Sequence, residues 1–220
     1  MIIEDIVDYT EKATVLAESI HNLETEADRK EREQVFVAIF SKFINNVIVL
    51  NAMFSIMPIV VKTNEVEAIK AALQSGQRVY KNLQISNTVP INSISDAVDM
   101  LEKIKNKWKK QYLVSEQVKE TLSMLELIMP IYKGTPKPKD LIDNIQAIDD
   151  EMIDIGIINE ANQSVEKGRE LLNDMEIDED VKTFLKKVST NSASLMDVNE
   201  NILHWLKNND MLNKMKVTNL

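Results

Sequence analysis

The stretch FVAIFSKFINNVIVLNAMFSIMPIVV, residues 36–61, decides the fold. Its residues Phe36, Phe40, Phe43, Val47, Leu50, Phe54, Met57 and Val61 recur at steps of three and four, which gathers them on one helix face as a seam of the coiled-coil type. Four of the five phenylalanines of the chain lie in it. Residues 43–61 are 19 positions without a charge, close to the length of a membrane span. Asn45, Asn46, Asn51, Ser55 and Pro58 weigh against insertion because their polar groups are costly in hydrocarbon, and no Trp or Tyr stands at either end. The preferred reading is a helix buried by protein that Pro58 ends or kinks. A membrane-associated protein anchored through residues 43–61 is the alternative.

Upstream, Ile6, Tyr9, Ala13, Leu16, Ile20, Leu23 and Ala27 form a seam of the same rhythm. The polar run Asp28 to Gln34 then favours helix without Gly or Pro, so the rod is expected to continue through it. Downstream, Val66 to Leu83 reads as a helix with Gly76 as its weak point. Gln84 to Asn92 reads as a loop with an extended crossing at Ile85 to Pro90. Ser93 or Ser95 suits the N-cap of a helix from Ile94 to about Tyr112. Ser115 and Glu116 open another, with Val118, Leu122, Leu125 and Met129 inward and a stop at Pro130.

Lys133 to Pro138, rich in Gly and Pro, is the clearest boundary. It separates an N-terminal long-helix region, residues 1–132, from a C-terminal helical hairpin region, residues 139–220, packed as one elongated unit. A helix is expected from Lys139 with Leu141, Ile145, Ile148, Met152 and Ile155 inward. Gly156 is its expected interruption, before Val165 to Leu172. Asp178, Glu179 and Asp180 suit the start of a last long helix, whose seam would be Val181, Phe184, Val188, Asn191, Leu195, Val198, Ile202 and Trp205. Asn191 would then be an amide in a d-type position that sets pairing register. Asn208 and Asn209 favour a stop, and a short basic tail follows around Lys214 and Lys216.

Composition narrows the chemistry. The chain has 220 residues, 44% apolar and 28% charged, with 4 Gly, 5 Pro, 2 His and no Cys. So few turn-formers argue against a sheet protein and leave no Gly-rich phosphate cradle. Disulfides, thiolate catalysis and Cys-ligated metal centres are excluded. A net charge of −9 disfavours nucleic acid as the main partner. The first residues lack the basic, then apolar pattern of a signal peptide, so a cytoplasmic location is expected.

Candidate sites are few. Glu18 with His21, and Glu200 with His204, have spacings that share a helix face and are weak metal candidates. A di-metal bundle needs two Glu-x-x-His pairs, and only the first of these fits. The metal-binding bundle enzyme is therefore the less favoured alternative, and no metal or cofactor is expected. Lys103, Lys105, Lys107, Trp108, Lys109 and Lys110 form the only basic cluster, a candidate contact for an anionic ligand. Val98, Leu101, Ile104, Trp108 and Tyr112 share one stripe there, so an ordinary amphipathic helix is the plainer account. The acidic run Asp149, Asp150, Glu151 and Asp154 has no EF-hand pattern and reads as a solvated face.

The expected fold is all-α, with long antiparallel helices in a coiled-coil-like helical bundle. The expected function is a non-catalytic scaffold or adaptor acting through a protein partner, a homo-oligomer or both. An accessory subunit of a bacterial multi-protein system, such as one in phage defence, is an example of that class. The Phe36 to Val61 seam is the expected interaction surface.

Overall fold

A computed structural model describes residues 27–85 and 91–214. They form α-helices joined by turns and short 3-10 segments, with no strand among the described residues. The helices are α1 (Ala27–Ile56), α2 (Thr63–Ile85), α3 (Ile91–Val114), α4 (Glu116–Ile128), α5 (Pro138–Gln146), α6 (Ile155–Asp174), α7 (Glu179–Ser189) and α8 (Glu200–Asn208). The seam Ile6 to Leu23, the crossing Ser86 to Pro90 and the tail from Met215 lie outside the described residues.

Contacts divide the chain into two compact units. One comprises the described residues up to Tyr112 with Glu151–Ile158; the other comprises Leu113–Asp150 with the described residues from Asn159 on. The loop Lys133 to Pro138 therefore lies inside the second unit, between α4 and α5, which pack on each other.

In the first unit α1 runs unbroken through the polar stretch Asp28 to Gln34, as its helix-forming residues dictate. It ends at Ile56 because the residue before a proline avoids the α region, and Met57 precedes Pro58. Val61 is thus in the connection to α2 and not on the seam helix. The Lys62 carbonyl accepts from the Glu65 and Val66 amides, and the Glu65 carboxylate accepts from the Lys62 amide at 3.0 Å, which fixes the start of α2. The next helix, α3, begins directly after Pro90, so Ser93 and Ser95 lie inside it and not at its cap.

The pairs Lys42–Glu102, Asn46–Lys105 and Phe54–Trp108 advance together along α1 and α3, so these two helices run in the same direction. The α2 helix runs back between their ends, since Glu65 meets Trp108 whereas Gly76 meets Phe43. A Cβ at Gly76 would stand 2.7 Å from the Phe43 ring, so the absence of a side chain permits that approach.

Two expected long helices are corrected. The helix from Pro138 ends at Gln146, a 3-10 turn follows, and Asp154 starts α6 by accepting from the Ile157 amide at 2.9 Å. Met152 is 88% exposed and Ile155 is also exposed, while Ile142 and Ile153 are buried in their place. The expected helix from Asp178 through Trp205 breaks after Ser189. Asn191 adopts a left-handed φ of 54° and is exposed, a helix-ending conformation that Asn tolerates, so it is not a buried register residue.

Candidate functional site

The seam is largely consumed by the unit that contains it. Phe36, Phe40, Phe43, Val47, Leu50 and Met57 are buried. Phe36 stacks on Phe40 and Phe40 meets Phe43 at a tilt, with centroids 5.4 and 5.9 Å apart. Phe54 departs from the expected face: it is 47% exposed and leans on the Trp108 ring at 6.5 Å. Between Val47 and Phe54 the buried set also takes in Val49 and Met53, so the face turned inward is wider than one heptad stripe. Gln34–Ile56 is, among the described residues, a helix long and apolar enough to cross a membrane, and 44% of that window is buried.

The basic cluster divides by helix geometry. Val98, Leu101, Ile104, Trp108 and Tyr112 form the buried stripe of α3. Lys105 and Lys109 flank it and are buried too, while Lys103, Lys107 and Lys110 are not. Residues one position along from Ile104 and Trp108 lie at the margin of the stripe, where a long stem can be covered. Lys105 Nζ donates to Asn46 Oδ1 at 2.8 Å. Burial holds the Lys105 ammonium below its ordinary pKa, with Lys109 and Lys42 acting in the same sense against Glu102.

The other polar node is Glu65, which sequence reading missed. Its carboxylate takes the Lys62 amide at 3.0 Å and Trp108 Nε1 at 3.1 Å on one oxygen and Lys107 Nζ on the other. Burial pushes the carboxyl up, but Lys107, the Lys62 amide and Trp108 together hold it below the usual glutamate value. These contacts join the α1–α2 connection to α3.

In the second unit α4, α6 and α7 line a cleft of about 520 Å³. Gly168 lets α6 lie against α4, since a Cβ there would meet Thr121 Cγ2 at 2.7 Å. Glu120, Arg169 and Glu170 stand around the cleft, and Lys186 is fixed by Asn173 Oδ1 at 3.0 Å. Beyond α7, residues 190–199 form a loop held by many hydrogen bonds. Ser192 and Ala193 amides donate to the Lys187 carbonyl, Ser194 caps onto Asp197, and Lys187 pairs with Asp197. Lys187 and Ser194 lower the Asp197 carboxyl to about 2. Asn199 caps α8 and donates to Asp180, and Asn201 donates to Asp178. The fixed loop leaves Leu195 at 69% and Met196 at 95% exposure. A polar run, Ser189 to Ser192, was the available sequence signal for a helix stop there.

Glu200 and His204 are exposed on α8, and His204 Nδ1 meets Asn208 Nδ2 at 3.1 Å. Glu18 and His21 lie outside the described residues. Among the described residues no group of three or more His, Asp or Glu is placed to hold a metal ion. Comparison with known proteins returns no matching family, no matching curated protein and no matching solved structure.

Proposed function

We propose that this protein is a non-catalytic helical scaffold or adaptor that works in the cytoplasm by contact with another protein. The observation that supports this most is the 190–199 loop. Burying a Leu or Met is worth about 1.5 to 3 kcal/mol. This loop forgoes that gain twice while its backbone is tied in place. A tip ordered before binding loses less conformational freedom on docking, so Leu195 and Met196 are suited to be anchors. Residues 188–196 carry no charge, and interface centres are depleted of charge and enriched in Met. In this reading the helices of the second unit form the frame that carries the loop, and the Phe36 to Met57 seam holds the first unit together.

The test is a pair of co-purifications from the native cell, one with the wild-type chain and one with Leu195→Ser combined with Met196→Ser. Light scattering on both proteins reports self-association. The expected result is a stoichiometric partner, or a second copy, that the double variant loses while its circular dichroism is unchanged. Equal retention by both proteins, or neither a partner nor self-association in the wild type, would overturn the proposal.

A further inference from the structure

The amide of Asn46 is 1% exposed, and its orientation is fixed by chemistry. A lysine ammonium only donates, so the atom facing Lys105 Nζ at 2.8 Å must be the oxygen, and the other lobe of the amide must be the NH₂ donor. That Nδ2 is buried without a hydrogen-bond acceptor among the described residues. Lys105, 6% exposed, is short of acceptors as well. Apart from Asn46 Oδ1 it has Glu102 Oε1 at 3.9 Å, and that oxygen already receives Lys42 at 2.9 Å. Buried donors are ordinarily satisfied, and a buried ammonium with one neutral acceptor is costly.

The charges facing this point have one prevailing sign. Among the described residues, Lys42 from α1 and Lys105 from α3 share the carboxylate of Glu102, and Lys42 disfavours the charged form of Lys105. The unsatisfied donor calls for an acceptor, and the two ammonium groups around one carboxylate favour a negatively charged one. We infer that the α1–α3 interface of the first unit binds a small anion held by Lys105 Nζ and Asn46 Nδ2. The near-complete burial of both side chains limits it to about the size of chloride. The partly exposed Lys42–Glu102 pair, with Lys42 on the surface, marks the side from which it enters. A ligand that binds only the folded state stabilises it, so the stability of this unit is linked to anion concentration. The inference is independent of the proposed contact function.

Thermal unfolding of the full chain, followed by circular dichroism in sodium chloride and in sodium gluconate of equal ionic strength, tests it, because gluconate is too large for the site. The expected midpoint is higher in chloride by about 2 to 4 °C, the shift that a modest stabilisation gives in a chain of this length. Lys105→Met should abolish the difference. Crystals grown in bromide give a readout that needs no variant: an anomalous peak within hydrogen-bond distance of Lys105 Nζ and Asn46 Nδ2. Equal midpoints in the two salts, a chloride effect that survives in Lys105→Met, or a water without anomalous signal between the two donors would each overturn the inference.

Discussion

Two stretches of the chain carry the same apolar rhythm and take opposite courses. From Phe36 to Met57 the steps of three and four lie on α1 and the residue that follows it, and most of them are buried. From Val181 to Trp205 the rhythm is as regular, yet α7 stops at Ser189 and α8 starts at Glu200. The difference lies in what occupies the positions between the apolar ones. Between Phe36 and Met57 these are mostly Ile, Val, Ala and Asn inside good hydrophobic context, with neighbours from α2 and α3 to cover them. Between Val188 and Leu195 they are Ser, Thr and Asn, whose side chains bond to nearby backbone and compete with the helix. Thr190 Oγ1 and Ser192 Oγ do so here, donating to the Lys186 and Lys187 carbonyls of α7 at 3.1 and 3.3 Å. Apolar period marks a face; the residues between decide whether one helix carries it.

One substitution made in both stretches gives the largest expected contrast. Leu50→Asp places an unpaired charge in the core and should cost about 3 to 5 kcal/mol. Leu195→Asp, at a position of the same rhythm but largely in water, should cost less than about 0.5 kcal/mol. Urea unfolding of the two variants checks this. A large loss for Leu195→Asp would mean that the loop is packed and not presented.

The all-helical class was legible because scarce Gly and Pro and long 3.6-residue periods are properties of whole segments. The α3 stripe from Val98 to Tyr112 was legible for the same reason. The breaks were misplaced or missed: an interruption was expected at Gly156, which lies inside α6, because Met152 and Ile155 fit the period of Leu141 to Ile148 and the capping bond of Asp154 that starts the new helix is a local contact. The Glu65 node was also hidden. A glutamate in a first turn looks like an ordinary complement to the helix dipole, and its partners Lys107 and Trp108 are some forty residues away. Asn46 was visible only as a residue that argues against a membrane, and its pairing with Lys105 is a tertiary fact.

That hidden node gives the next contrast, in acid. The folded-state pKa of Glu65 is lowered, so its stabilisation is fully present above the unfolded value and is lost as pH falls through the folded one. Hydrogen bonds to a charged group are worth about 1.5 to 3 kcal/mol, so Glu65→Gln should cost about 2 kcal/mol at neutral pH. The cost should shrink below pH 4.5, the ordinary value of the group. Asp197 in the loop shifts in the same sense to about 2, but its side chain is more open to solvent than that of Glu65, 21% against 5%, so Asp197→Asn should change the acid limb without a comparable loss at neutral pH. Unfolding midpoints between neutral pH and strong acid distinguish the two, and equal losses would erase the contrast between a buried node and a surface brace.

Glycines compare the interiors of the two units. Gly76 faces the buried ring of Phe43, and Gly168 faces Thr121 Cγ2 at 2.7 Å and Leu125 Cδ1 at 3.1 Å. Alanine would gain about 1 kcal/mol in helix propensity at either position. Overpacking typically costs 1 to 3 kcal/mol, so the net loss should be about 1 kcal/mol for each. Denaturation of Gly76→Ala and Gly168→Ala measures it. A stabilised Gly76→Ala would show that the Phe43 ring yields and that α1 and α2 are less tightly apposed than described.

The smallest effect bears most directly on the opening comparison. If Val181 to Trp205 were one helix, Asn191 would be a polar interruption of its seam, and Asn191→Leu would extend the apolar face, raise helix content and stabilise the protein. The left-handed φ of 54° demands the reverse. A branched side chain pays about 1 to 2 kcal/mol in that region and Asn less, so Asn191→Leu should lose up to about 1 kcal/mol with unchanged helix content. Asn191→Gly, freed from the Cβ clash, should be neutral or slightly stabilising. The order Gly, Asn, Leu in unfolding midpoint identifies a helix stop, because no helix-interior position ranks glycine first. The opposite order, with a gain in the helical signal for Leu, would join α7 to α8 and remove the loop on which the contact proposal stands.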